Sequence, residues 1–266
     1  MKLYEKSDTN IWSDSYIGKK MLGAHLDVES DAASRKADVI NATINWILHP
    51  YDFPKTAIDL GCGPGLYTTK FSSRGWQVLG VDINKYSVEH ANQESIARKL
   101  SAQHIEGSYL SPLNVGTFDL ATCIYCDFGA LVADDQQLFL RNVRMLLNKD
   151  GVLVLDVFGK GVSDTKTEGR YWNSEAAGNF WCNQPCYVLS ECVHFHESHV
   201  WGEKHIIIPK SGKPFSTVIW THYFTTDKIT ALLEKFGFEV LEINTDIVKK
   251  SDFISSDVIF VRARKI

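Results

Sequence analysis

Two short segments concentrate the residues that could do chemistry. Ala57-Ile58-Asp59-Leu60-Gly61-Cys62-Gly63-Pro64-Gly65-Leu66-Tyr67 places three glycines within five residues directly after an apolar run, and Gly80-Val81-Asp82-Ile83-Asn84 ends the next apolar run on an acid. Glycines where a strand turns into a helix let the backbone approach a ligand closely, and an acid at the end of the second strand can accept both hydroxyls of a ribose. The ligand expected there carries an adenosine-like group. A pyrophosphate-binding turn spaces its glycines Gly-x-Gly-x-x-Gly so that the phosphates sit on a helix N-terminus; here Gly65 comes one residue early and Leu66 follows it. Asp59, two residues before Gly61, would repel a pyrophosphate and attract an ammonium. A zwitterionic amino-acid tail therefore fits this turn better than a phosphate. An NAD(P)-dependent oxidoreductase is the rival reading, and an ordinary strand-to-helix loop the plain one.

Asp127, in Tyr125-Cys126-Asp127-Phe128-Gly129, follows a further apolar run and is expected where a strand opens onto the binding edge of a sheet. It is the leading candidate for meeting a substrate nucleophile, as a base or as an orienting acceptor; a turn residue ahead of the helix that starts at Asp134 is the alternative. Cys182-x-x-x-Cys186 followed by His194, His196 and His199 offers zinc's preferred ligands, but the spacing matches no standard closed site. His194 and His196 also share a strand face with Cys192, as simple alternation gives, and no metal is expected. Cys123-Ile124-Tyr125-Cys126 has redox spacing, yet Cys123 falls inside a buried strand rather than at a helix N-terminus that would stabilise a thiolate. All six cysteines are read as reduced thiols.

A parallel sheet must hold these residues. Short apolar runs over 57–60, 78–81, 120–124 and 152–155 alternate with helical patterns, the signature of strands buried on both faces and joined by crossover helices. Helices are expected over 89–100 and 134–147, the latter closed by Gly151 in a left-handed cap. Before the first strand, Ser13 or Asp14 can cap a short helix with Ile17, Met21 and His25 on one face. Ser30 or Asp31 can cap a second with Ile40, Ile44, Ile47 and Leu48 buried, ended by Pro50. Residues 188–196, 199–208 and 216–224 alternate with period two between turn-formers, which predicts an antiparallel meander; a helix over 226–236 and strands over 238–246 and 258–264 complete the chain. The expected organisation is N-terminal helices over 1–54, an α/β core over 55–160 and 225–266, and an antiparallel β insertion over 161–224.

The turn at 59–65 together with Asp82 resembles the first motif, Asp/Glu-x-Gly-x-Gly-x-Gly, of the class I, Rossmann-like S-adenosylmethionine-dependent methyltransferases. The resemblance covers residues 55–160 and the terminal helix-strand-strand segment and does not reach 161–224. It implies a doubly wound, mostly parallel sheet whose terminal hairpin places one antiparallel strand at the edge, with S-adenosylmethionine as cofactor. Asp59, Gly61, Cys62 and Gly63 would line the methionine part, Asp82 would take the ribose hydroxyls and Ile83 would pack on adenine. Ser108 and Tyr109 stand where the family usually has an acid for the adenine amino group, and Ile124 and Tyr125 would close the other side. Residues before the first strand often cover the cofactor in this family. Arg35, placed early in the second helix, would then meet the methionine carboxylate through its planar fork; an exposed arginine is the other reading. Trp12, Tyr16, Ile17 and Met21 make an apolar stripe for such a lid or simply pack on the sheet. The Asn/Asp-Pro-Pro-aromatic motif of enzymes that methylate amide or base nitrogens is absent near Asp127, which argues against DNA and protein-glutamine substrates.

Composition sets the outer limits. The 266 residues are 44% hydrophobic, enough to fill a core, and a charge sum of 28 − 32 = −4 lacks the phosphate-neutralising excess that a nucleic-acid partner requires. No apolar run approaches the ~20 residues of a membrane span, and residues 1–8 lack a secretory apolar stretch, so no membrane partner and a cytoplasmic location are expected. The insertion leaves the sheet after its fifth strand, on the carboxyl edge, and is expected to roof the reacting methyl as a substrate cap. Trp220, His222 and Phe224 should share one of its faces, Ile219, Thr221 and Tyr223 the other; these aromatics either supply a pocket or form the insertion's own core. The expected activity is methyl transfer by in-line displacement to nitrogen or oxygen of a compact, largely apolar or aromatic small molecule, with Asp127, Tyr125 and His222 near the acceptor. A protein that binds S-adenosylmethionine without turnover is a further alternative, and the oligomeric state is left open.

Overall fold

The four apolar runs are neighbouring strands of one seven-stranded sheet in the computed structural model, which describes residues 1–248 and 257–266. Two helices precede the sheet, Ile17–Leu26 (α1) and Ala37–Leu48 (α2). Strands Thr56–Leu60 (β1), Gln77–Asp82 (β2), Gln103–Glu106 (β3), Phe118–Cys123 (β4) and Leu147–Phe158 (β5) run parallel, joined through helices Thr68–Ser72 (α3), Lys85–Ala97 (α4) and Ala133–Leu146 (α5). The chain then builds a separate four-stranded antiparallel sheet from Gly169–Glu175 (β6), Cys186–Phe195 (β7), Val200–Pro209 (β8) and Phe215–His222 (β9). It returns through Thr226–Lys235 (α6) to Phe238–Asn244 (β10) and Val258–Lys265 (β11). The large sheet has the order β10-β11-β5-β4-β1-β2-β3.

The terminal hairpin is present, but its antiparallel strand is not at the edge. β11 lies between β5 and β10 and is antiparallel to both, so β10 takes the edge and runs parallel to β5. The chain comes back through α6 to the outer position first, and the hairpin then folds inward to fill the gap.

Local capping explains the other shifts of boundary. α4 starts a turn earlier than its apolar pattern because Asn84 Oδ1 accepts the backbone N–H of Tyr86 (3.1 Å) and Ser87 (3.4 Å). Asp14 Oδ1 accepts from the amides of Tyr16 and Ile17, both at 2.8 Å, and so opens α1. Neither Ser30 nor Asp31 caps α2, which begins at Ala37 after an extended Lys36, and Leu48 is only half-buried. After α5 the left-handed residue is Asp150 (φ 60°) rather than Gly151. β6, with no apolar alternation of its own, has no counterpart in the sequence reading.

Helices cover both faces of the large sheet, as its buried strands require. Phe139, Leu140 and Val143 of α5 and Ile229 and Leu233 of α6 pack on one face; Ile40, Ile44 and Ile47 of α2 with Phe71 of α3 pack on the other. Arg262 of β11 fastens α2. It donates to the carbonyls of Ile47 (3.0 Å) and Trp46 (2.6 Å) in the last turn, its Nε bonds Glu242 at 3.1 Å, and its guanidinium lies 4.6 Å from the Trp46 ring centre. Replacing Arg262 with Met should lower stability in urea unfolding by about 2 kcal/mol, whereas Glu242→Gln, at a half-exposed partner, should cost less than about 1 kcal/mol.

Candidate functional site

β1 ends in a turn whose three glycines all adopt left-handed backbone, with φ of 78° at Gly61, 53° at Gly63 and 84° at Gly65. The turn is tied to β2, since the amides of Gly61 (2.8 Å) and Cys62 (3.1 Å) both donate to the Val81 carbonyl. Asp82, at the end of β2, accepts the Gly63 amide through Oδ2 (2.8 Å) and the Asn84 amide through Oδ1 (2.7 Å). The acid expected to meet a ribose holds the glycine turn in shape. Ile83 is half-buried beside it. Asp59 is buried one strand over, accepting the Thr122 hydroxyl at 2.6 Å, and burial pushes its pKa up to about 7.

Asp127 belongs to this same cluster. It opens a short 3-10 turn, Asp127–Ala130, reached through two consecutive left-handed residues, Tyr125 (φ 79°) and Cys126 (φ 58°). Tyr109 donates its hydroxyl to Asp127 Oδ2 at 2.7 Å, and any side chain at Gly61 would meet that oxygen at 2.8 Å. Burial raises the Asp127 pKa to about 6. Asp127 therefore both opens the turn that leads toward α5 and lies against the glycine turn.

The N-terminal segment closes over the turn. The Gly18 carbonyl of α1 accepts from the Asn84 side chain (2.9 Å), and the His25 ring sits 3.6 Å from where a Gly63 side chain would begin. His25 bonds Ser34 at 2.7 Å through Nδ1, and burial drives its pKa down to about 4. Arg35 is neither exposed nor helical. It precedes α2, is buried, and pairs with Asp156 of β5, which also accepts the Cys126 amide at 2.9 Å. The adjacent carboxylate holds the guanidinium charged despite its burial, above its ordinary pKa. Arg35 Nε and Nη1 are buried and make no hydrogen bond among the described residues. The Tyr125 ring lies under this guanidinium at 5.3 Å, with its hydroxyl bonded to the Asp31 carbonyl.

The remaining candidates turn to other neighbours. The Cys62 side chain is buried against Gly80, with its thiol donating to the Gly63 carbonyl at 3.6 Å. Ile124 packs in the core with Ile40, Ile44 and Ala57. Ser108 Oγ accepts the Leu110 amide (3.2 Å), a turn contact. His222 is a structural bridge: Nδ1 donates to the Gly129 carbonyl (2.9 Å), Nε2 accepts from Tyr4 (2.8 Å), and burial keeps the ring neutral by lowering its pKa. Trp220 packs beside it, on Tyr4 and Phe195. Sequence reasoning missed His25 and Asp156, whose roles depend on distant partners. It also missed His104, which bonds Thr68 at 2.7 Å beneath Gly65 and Gly80. Among the described residues, no group of three or more His, Cys, Asp or Glu side chains could hold a metal ion, and no helix is long and apolar enough to cross a membrane.

Known proteins resemble this chain in sequence and in fold. Residues 57–151 match the family model of the methyltransferase domain. A protein of Geobacillus sp. (strain WCH70) named "Putative methyltransferase" is 24% identical over 221 residues, covering 79% of this chain and 85% of that one. A ubiquinone biosynthesis O-methyltransferase of Psychrobacter cryohalolentis is 32% identical over 74 residues, 26% of this chain and 29% of its own. The fold is that of CalS10 from Micromonospora echinaspora, an amino pentose methyltransferase solved with S-adenosylmethionine bound: TM-score 0.55 at 17% identity, over 86% of this chain and 91% of that one. Residues 57–151 thus match a methyltransferase domain, and the fold around them is that of S-adenosylmethionine-dependent methyltransferases.

The raised pKa of Asp59 has a consequence for the cofactor-free protein. An aspartate titrates near 3.8 when unfolded, and this one at about 7 when folded, so folding takes up a proton between those values. The stability that this protonation contributes is full below the unfolded pKa and is lost as pH rises through about 7. Urea unfolding across this range should show the wild type losing stability relative to Asp59→Asn as pH rises. A constant difference between the two proteins would place the proton elsewhere.

Proposed function

We propose that this protein transfers the methyl group of S-adenosylmethionine by in-line displacement to nitrogen or oxygen of a small-molecule acceptor. The supporting observation is the charge arrangement around one glycine turn. Asp59, Asp82 and Asp127 gather acids where a ligand with cationic groups would lie, while two buried donors of Arg35, close to Tyr125, make no hydrogen bond among the described residues. A zwitterion fits both ends, and a pyrophosphate fits neither the acids nor α3, which is only five residues long. The match to the methyltransferase domain and the relatives' names support this reading over an oxidoreductase.

In this reading Asp59 and the backbone of Gly61, Cys62 and Gly63 hold the methionine ammonium side. Arg35 takes its carboxylate through Nε and Nη1, Asp82 accepts from the ribose hydroxyls, and Ile83 and Tyr109 border the adenosine. Bound S-adenosylmethionine supplies a methyl on a sulfonium, already activated for displacement. What the chain adds is placement of the nucleophile in line and exclusion of water by α1 and the four-stranded sheet, which serves as the substrate cap. Asp127, largely ionised above about pH 6, can orient an acceptor hydroxyl or take the proton an acceptor amine releases. Tyr125 shapes the wall beside it. His222 belongs to the frame.

Titration calorimetry should show binding of S-adenosylmethionine and S-adenosylhomocysteine and none of NAD. Asp82→Ala should weaken binding by about 2 kcal/mol or more, through loss of a charged acceptor and of the amide anchor at Gly63. Mass spectrometry of small molecules that co-purify identifies candidate acceptors. With such an acceptor, Asp127→Asn should bind cofactor normally yet transfer methyl at least about tenfold more slowly, the size expected for loss of a proton acceptor or orienting group. An unchanged rate excludes Asp127 from the chemistry, and a wild-type protein that binds cofactor but methylates no acceptor favours a binding role.

A further inference from the structure

The four-stranded sheet has two edges, and the protein treats them differently. Along β9 the chain's own N-terminal segment closes the edge. The amides of Asp8 and Thr9 both donate to the Ser216 carbonyl at 3.0 Å, Asp8 accepts the Ser216 amide at 3.0 Å, and Ser7 accepts the Val218 amide at 2.8 Å. Among the described residues β6 has no such cover. Its residues from Gly169 through Ser174 are all exposed, and its register with β7 runs without a bulge from Gly169 opposite Cys192 to Glu175 opposite Cys186. Proteins blunt free edges with proline, lysine, bulges or very short strands. β6 has none of these, whereas in the large sheet β3 is four residues long and β10 carries a bulge and exposed glutamates.

The surface beside this edge is apolar. Trp172 is 66% exposed, Tyr187 53% and Leu189 40%; Trp172 and Tyr187 lie on the same side of the sheet with ring centres 6.0 Å apart. A groove of about 320 Å3 lies there, lined by Trp172, Leu189 and Ile206 and rimmed by Arg170, Glu191 and Lys204. Exposed aromatics next to a bare strand edge mark an interaction surface, and the unpaired backbone groups of an edge are satisfied by another extended strand.

We propose that β6 pairs antiparallel with β6 of a second copy of this chain, joining two four-stranded sheets into one of eight strands. Residues directly opposite in an antiparallel pair share a face, so a twofold axis through Trp172 is an allowed register. It sets Trp172 against its own copy, Arg170 against the partner's Ser174, Tyr171 against the partner's Asn173 and Gly169 against the partner's Glu175. The strand's only charges are one arginine and one glutamate, so no like charges oppose each other, and the two Trp172–Tyr187–Leu189 patches become continuous.

Sedimentation velocity on the full chain, at concentrations up to about 100 μM where even weak interfaces are populated, should show a dimer. Trp172→Lys should be monomeric with an unchanged near-ultraviolet spectrum, and Trp172→Phe should remain dimeric. Ser174 is exposed and tests the register without threatening the fold: Ser174→Glu, opposite Arg170, should tighten the dimer several-fold, and Ser174→Arg should weaken it. Hydrogen exchange should find the β6 amides protected in the wild type and fast in the Ser174→Arg monomer. A wild-type monomer throughout, a dimer untouched by Trp172→Lys, or equal responses to the two Ser174 changes would overturn the proposal.

Discussion

Three carboxyl groups share the carboxyl end of one sheet, and much of the surrounding structure exists to make that arrangement tolerable. Asp59, Asp82 and Asp127 are each raised in pKa chiefly by burial, and Asp82 and Asp127 both push Asp59 further up. Each has a specific donor: the Thr122 hydroxyl for Asp59, two backbone amides for Asp82 and the Tyr109 hydroxyl for Asp127. The crowding also explains the backbone. Gly61 must lack a side chain because Asp127 Oδ2 occupies that space, and Tyr125 and Cys126 accept left-handed conformations because only a reversal there aims Asp127 back at the turn. A cluster of acids raised in pKa by burial is matched to a cationic occupant, whose charge would favour their ionised forms.

The opposite charge is supplied from outside the sheet. Arg35 reaches Asp156 and Cys126 from the segment before α2, and the same segment gives Ser34 to His25 and the Asp31 carbonyl to Tyr125. One stretch of five residues thus joins α1, β5 and the loop after β4. Upstream, the chain runs along the four-stranded sheet through Glu5 with Lys204, Tyr4 with His222 and Asp8 with Ser216 before it enters α1. The insertion and the cover over the glycine turn are therefore tied to the same N-terminal strand of chain, and the sequence-level division at residue 54 separates parts that the hydrogen bonding keeps together.

The α/β core was legible because its information is local. Parallel strands buried on both faces read as unbroken apolar runs, the glycine turn carries its own conformational demand, and Asp82 follows its strand directly. Boundaries slipped where a polar side chain decided them, as Asn84 does for α4. The order of the last two strands was not readable, because an antiparallel hairpin looks alike whether it adds outward or folds inward. β6 escaped because an edge strand with both faces exposed has no reason to alternate.

Side-chain roles at the site were legible only where the backbone sets them. Gly61 and Gly63 serve through φ, and Asp59 and Asp82 through their positions at strand ends. Arg35 and His222 were placed by residue type, and residue type could not say that Arg35 would be buried ahead of α2, since a guanidinium or an imidazole takes its surroundings from whatever faces it. Arg35 meets Asp156 across 121 residues of chain, and His222 meets Tyr4 across 218. The alternation that set Trp220 and His222 on one face was sound, but it could not say that Tyr4 would cover that face and take one nitrogen of the histidine while the Gly129 carbonyl takes the other. Periodicity assigns a residue to a side of its own element; the chemistry left to it is what remains after its most distant neighbour has been satisfied.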